Sequence, residues 1–143
     1  MSAFTLDHLK QAMLDAGLEI YRVNGSEIRL AERVRVHLMD SGVSISIRDK
    51  PQICVTVRGQ RSDFPSATTD DLFSKVRVAM QGAAVARGFQ EIGATARDIT
   101  DPVDDANVLD VWHELTFAKD IDALDALLED VRWALSLRKC IEP

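Results

Sequence analysis

The sequence predicts an α+β fold, an antiparallel β-sheet with helices packed on one face, in the order α-β-β-β(-β)-α-β-β-α. Three observations predict it. Apolar residues recur at spacings of three and four in three separated stretches, the mark of amphipathic helices. Between the first two of these stretches apolar and polar residues alternate, the period of half-buried strands. Turn-forming residues at Asn24-Gly25, Ser41-Gly42 and Asp49-Lys50-Pro51 punctuate the alternating runs, so successive strands can fold back on one another.

The first helix is expected from Thr5 to Ala16, with Leu6, Leu9, Met13 and Ala16 on one stripe, Thr5 as N-cap and Gly17 as the left-handed stop. Asn24-Gly25 tolerates positive φ at both positions of a tight turn, which sets Tyr21 opposite Ile28 and Arg22 opposite Glu27. Residues Ser26 to Met39 also fit a helix through Ile28, Ala31, Val34 and Leu38, but Arg33 to Leu38 alternates more cleanly than it coils. A loop at Ser41-Gly42 then pairs Leu38 with Ile45 and Val36 with Ile47, and the next turn pairs Ile47 with Ile53 and Ile45 with Val55. The opposite, open face carries Arg35, His37, Ser44, Ser46, Arg48, Cys54, Thr56 and Arg58.

A polar loop from Gln60 to Thr68 leads into a second helix from Thr69 to Arg87, with Leu72, Val76, Ala79, Met80 and Ala83 facing inward. Asp70 and Asp71 complement its N-terminal dipole, and Gly88 ends it. Strands follow at Gln90 to Ile99 and Val108 to Ala118, the latter with Leu109, Val111, His113, Leu115 and Phe117 on one side and Asp110, Trp112, Glu114 and Thr116 on the other. The last helix begins near Asp120, as its cap, and carries Ile121, Leu124, Leu127, Leu128, Val131 and Leu135.

A chain of 143 residues without repeats or linkers is expected to form a single domain, 1–143. Its net charge of −6 argues against sequence-independent nucleic-acid binding, which needs many cationic contacts to phosphate. The charge is uneven, with arginines concentrated between Arg22 and Arg61 and carboxylates from Asp98 to Asp130. The opening residues Met1 to Asp7 lack the basic and apolar regions of a signal peptide, and no apolar run is long enough to span a membrane, so a cytoplasmic protein is expected.

The chemistry-bearing residues form no motif. His8, His37 and His113 lie on different elements without metal-ligand spacing, so no metal or other cofactor is expected. Cys54 and Cys140 read as separate reduced thiols, and the acidic stretch Asp98 to Asp105 lacks the pattern of a calcium loop. No nucleophile, base and orienting group can be named together, so catalysis is not expected. Trp112, on the polar side of its strand, is a candidate partner-binding residue, as are Arg35, Arg48 and Arg58 on the open face. Met80 and Ala83 mark the small-residue part of the second helix, where a partner can approach closely.

The order of elements, the chain length, the acidic balance and the passage Val108-Leu109-Asp110-Val111-Trp112-His113-Glu114-Leu115 to Leu128 resemble type III secretion chaperones and the related YbjN proteins over nearly the whole chain. That resemblance implies a small non-enzymatic protein, acting as a homodimer, that binds a polypeptide client or regulatory partner. The alternative is a small-molecule-binding or enzymatic domain with a pocket between sheet and helices, using His37 or His113 with nearby arginines.

Overall fold

A computed structural model describes residues 4–143; Met1–Ala3, the start of the stretch read for a signal peptide, lie outside the described residues. The element order is α1 (Leu6–Asp15), β1 (Ile20–Asn24), β2 (Glu27–Val34), β3 (His37–Ser46), β4 (Gln52–Gln60), α2 (Thr69–Ala86), β5 (Gln90–Thr100), β6 (Val108–Asp120) and α3 (Leu124–Ser136). The strands form one six-stranded sheet in the order β1-β2-β3-β4-β6-β5. This is the expected α+β order, with four strands ahead of the second helix. The chain divides into two compact units, one running up to Val55 and including Ala118–Leu137, the other comprising Thr56–Phe117 and Arg138–Pro143.

In the first unit, α1 is framed as expected. The Thr5 hydroxyl accepts from the His8 N–H, and Gly17 adopts a φ of 79°. The Gly17 N–H bonds the Leu14 carbonyl and the Leu18 N–H bonds that of Met13, a complete Schellman stop. Leu9 and Met13 are buried, and α1 packs on β2. Ile28, Leu30, Val43, Ile45, Ile53 and Val55 are buried with them, and α3 adds Leu127, Val131 and Ala134 against β3.

The turns differ from expectation. The first falls at Gly25-Ser26, one residue beyond Asn24-Gly25, so Asn24 pairs with Glu27 and Val23 with Ile28. Gly25 takes the position of positive φ, at 50°, and a bulge at Tyr21 sets Ile20 opposite Leu30. The second lies at Arg35-Val36, with Val34 paired to His37, so the predicted pairing of Leu38 with Ile45 and Val36 with Ile47 does not form. Arg35 has a φ of 61°, a left-handed conformation that costs a non-glycine residue roughly 1–2 kcal/mol.

Ser41-Gly42 is a bulge inside β3, where three residues, Ser41 to Val43, lie opposite Leu30 alone. The buried Ser41 hydroxyl donates to the Leu30 carbonyl at 2.7 Å and accepts from the Val43 N–H at 3.2 Å. Asp40 accepts from the Gly42 N–H at 2.9 Å and from Arg29 at 3.0 Å. Internal satisfaction of these polar groups lets a turn-like dipeptide sit within a strand.

Past the bulge, Ile45 pairs with Ile53 and Val43 with Val55, two residues from the expected register. A slip of two leaves every side chain on its expected face, because the strand period is two. Before the bulge, residues 32–40 are exposed throughout, so Val36 and Leu38 leave the core assigned to them. Nor does Asp120 cap the last helix. It accepts from Gln52 at 3.0 Å and pairs with Lys50 at 3.2 Å, while α3 begins at Leu124.

In the second unit, Thr68 and Asp71 form a capping box at the start of α2, and Gly88, with a φ of 87°, closes its end. The buried stripe of α2 advances in steps of four, through Leu72, Val76, Met80 and Ala84, which leaves Ala79 and Ala83 exposed rather than inward. Opposed to it are Val57, Phe89, His113, Leu115 and Phe117, whereas Leu109, expected on that side, is exposed near the end of its hairpin. The segment after α3 returns alongside β4, where the Arg58 N–H donates to the Lys139 carbonyl at 2.8 Å and the Ile141 N–H donates to the Arg58 carbonyl at 3.0 Å. A side chain at Gly59 would meet Val76 at 3.2 Å and Ile141 at 3.3 Å, so its absence permits this close packing.

Replacing Ser41 by alanine is expected to destabilise the protein by about 1–3 kcal/mol, because the Leu30 carbonyl loses its buried partner. Urea unfolding of the two proteins checks this.

Candidate functional site

The side chains that sequence reasoning selected do not form one patch. Trp112 and Arg58 come together in the second unit, the Arg58 guanidinium carbon standing 4.0 Å from the centre of the indole ring. Arg35 occupies the β2–β3 turn and Arg48 the connection after β3, both exposed and both in the first unit. Met80 is buried in the core, while Ala83 is exposed on the outward side of α2.

The Trp112 cluster is built by strand alternation. His113, Leu115 and Phe117 face inward, which turns Trp112, Glu114 and Thr116 to the other side of β6. Thr116 meets Thr56 of β4 at 3.2 Å between hydroxyl oxygens. Glu114 pairs with Arg97 of β5 at 3.0 Å, and the Arg97 guanidinium carbon lies 5.1 Å from the Trp112 ring centre. Two cations against one indole give an electrostatic attraction of about 0.5–1 kcal/mol each at a partly exposed site. Sequence reasoning missed Arg97. Its signal is faint, one arginine in a strand whose partner alignment the local pattern leaves open.

Asp110 fixes the cluster from below. Its carboxylate accepts from the Ser62 N–H at 2.9 Å, the Ser62 hydroxyl at 2.8 Å and the Val111 N–H at 2.8 Å. Burial raises its pKa, but these hydrogen bonds and one from the Trp112 indole outweigh burial and hold it below the ordinary carboxylate range. Arg58 lies beside Cys140, whose thiol is pushed up by burial against the pull of that guanidinium. The buried Arg58 Nε has no hydrogen-bond partner among the described residues.

On the α2 side of β5 lies a groove of about 440 Å³, bounded by Arg77, Gln81, Val85, Phe89, Glu91 and Phe117. Arg77 grips Glu91 through two hydrogen bonds of 2.7 and 3.0 Å, which holds the Glu91 carboxyl below its usual range. Val85 is 64% exposed at its wall. β5 itself ends the strand order, and every residue from Gln90 to Asp98 is exposed. An eleven-residue edge thus presents its outward N–H and C=O groups, with an apolar groove on one face and the arginine-flanked indole on the other.

Comparison with protein-family models, curated proteins and solved structures finds no match to this chain.

The histidines fall apart as candidates for one pocket. His37 is exposed at the start of β3 in the first unit. His113 is 1% exposed, packed edge-on against Phe73 at 5.1 Å, with Nε2 3.4 Å from the Thr69 hydroxyl and Nδ1 unpartnered among the described residues. Among the described residues no group of three or more His, Cys, Asp and Glu side chains is placed to hold a metal ion, and no helix is long and apolar enough to cross a membrane.

Burial, then the charge of Arg61, keeps His113 below its ordinary pKa, with Asp110 pulling the other way. As pH falls through about 6.5 the unfolded chain takes up a proton that the folded chain refuses, so stability declines below that pH. The decline is expected to reach up to about 1.4 kcal/mol per pH unit and to flatten in His113→Leu, as read from urea midpoints at about pH 7 and about pH 5.5.

Proposed function

We propose that this protein is a non-enzymatic, homodimeric adaptor or chaperone-like protein that binds an extended segment of another polypeptide along β5. The observation that carries the reading is the long edge strand exposed on both faces between the groove and the Trp112 cluster. Native proteins blunt such edges with lysine, proline or a covering element. β5 has no lysine and no proline, its charges Glu91, Arg97 and Asp98 lie toward its ends, and its centre, Gly93-Ala94-Thr95-Ala96, puts little side-chain bulk in the way of an incoming backbone.

The binding mode follows from the chemistry. An added strand satisfies the outward backbone groups of β5, giving affinity without sequence preference. Alternate side chains of that strand reach the two faces of the sheet. Apolar ones enter the groove beside Val85 and Phe89, while acidic ones meet Arg97, which stands against the Trp112 ring. The resemblance of the chain to type III secretion chaperones and YbjN proteins supports the same reading. The expected setting is the cytoplasm, with no nucleic acid or membrane as partner.

The test is capture of partners from the native lysate by wild type and by the variants Ala94→Pro and Thr95→Pro. Neighbouring N–H groups on a strand point to opposite edges, so one of the two prolines removes only an outward donor and preserves the sheet. In that variant, chosen by an unchanged circular dichroism spectrum, the polypeptides enriched by wild type are expected to be lost. Equal enrichment by wild type and the folded proline variant contradicts binding at β5.

A further inference from the structure

The two long hairpins end in surfaces of opposite character. The β2–β3 end, residues 32–40, is exposed throughout, and Val34, Val36, Leu38 and Met39 are its apolar residues. Val36 is 83% exposed at the turn itself. Glu32 and Asp40 stand at its base, Asp40 paired with Arg29 and Arg33 with Glu19. Arg35 and His37 flank Val36 at the tip, where no carboxylate lies between Arg33 and Met39. The β5–β6 end carries Asp98, Asp101, Asp104 and Asp105 without a lysine or arginine from Asp98 to Leu109. Its apolar residues are Val103, which is 96% exposed, together with Val108 and Leu109.

Both ends are built rather than frayed. The first turn keeps Arg35 in the left-handed region at a φ of 61°, where glycine is the favoured residue. Backbone strain at an exposed turn that presents a bare valine is the kind of outlier that accompanies a contact surface. The second end is organised by its own carboxylates, Asp101 accepting from the Val103 N–H at 2.9 Å and Asp104 from the Ala106 N–H at 3.1 Å. These turns fix Val103 outward among the acids.

We infer that the β2–β3 end of one copy docks on the β5–β6 end of a second copy, Val36 packing with Val103 while Arg35 meets the carboxylates of Asp104 and Asp105. Complementarity of the two tips selects a second copy as the occupant. The same chain supplies a basic, apolar tip and an acidic, apolar tip, and like tips repel. The contact is therefore reciprocal, the basic tip of each copy on the acidic tip of the other, which closes a two-fold dimer. It rests on the homodimer part of the proposed function and names its surface, which adjoins the β5 edge at Asp98.

The experiment is sedimentation velocity across the micromolar range on wild type, Arg35→Glu, and the double variant Asp104→Lys/Asp105→Lys, alone and mixed. Each variant alone is expected to associate at least roughly tenfold more weakly than wild type. Their equimolar mixture is expected to recover association, because the glutamate tip of one then faces the lysine tip of the other, and the untouched Arg35 faces the untouched aspartates. Val36→Asp, an exposed change that leaves the charges of the acidic tip alone, is expected to weaken association equally while the thermal midpoint stays that of wild type. Variants that associate as wild type does overturn this surface and leave the homodimer reading standing, as does a mixture that fails to recover. A wild type that is monomeric throughout the range overturns both.

Discussion

Ile53, Val55 and Val57 point to one side of β4, and Cys54, Thr56 and Arg58 to the other. That unbroken alternation constrains the rest of the molecule. Ile53 and Val55 pair with Ile45 and Val43, which fixes which residues of β3 enter the core of the first unit. Val57 and Gly59 face α2 in the second unit, and Gly59 leaves room for Val76 and Ile141. The opposite residues of the same strand then have no choice of side. Thr56 meets Thr116, and Arg58 lies over Trp112. The polar cluster is thus a consequence of core formation, because strand geometry sends alternate side chains to opposite faces.

Burial is concentrated where helices cover strands and fails beyond them. α1 and α3 bury the second half of β3 and the start of β2, but residues 32–40 have no helix over them. α2 buries Leu115 and Phe117 near the end of β6, while Val108 and Leu109 at its start are exposed. Each hairpin therefore has a rooted half and a projecting half. The buried Asp130, paired with Lys119 at 2.9 Å, shows that polar groups within the rooted part are compensated. The exposed valines of the projecting parts have no such cover within their own unit.

The element order, the ends of the first two helices and the inward stripe of β4 were legible from sequence because each rests on local physics. Thr5, Gly17 and Gly88 act within one turn of themselves, and alternation in β4 is a two-residue rule. The reading failed where two sites offered the same local chemistry. Ser41-Gly42 and Arg35-Val36 both compete for one reversal of the chain, and turn propensity favours the first. The structure takes the second, because Ser41 can bond Leu30 and Val43 inside the sheet and Asp40 can hold the Gly42 N–H. That choice depends on a strand eleven residues away, which no local window contains. The site divides in the same way. The face of Trp112 follows from alternation, whereas its neighbours Arg97 and Ser62 depend on pairing between β4, β5 and β6 and on a loop that returns to Asp110.

The claim that β5 is a binding edge is tested most directly by hydrogen exchange, read by mass spectrometry on the protein alone and bound to a captured partner. The account predicts slow exchange in β4 in both states, with β5 exchanging quickly when free and becoming protected in the complex, since an added strand bonds its outward amides. Unchanged exchange in β5 on binding, with protection appearing elsewhere, contradicts it.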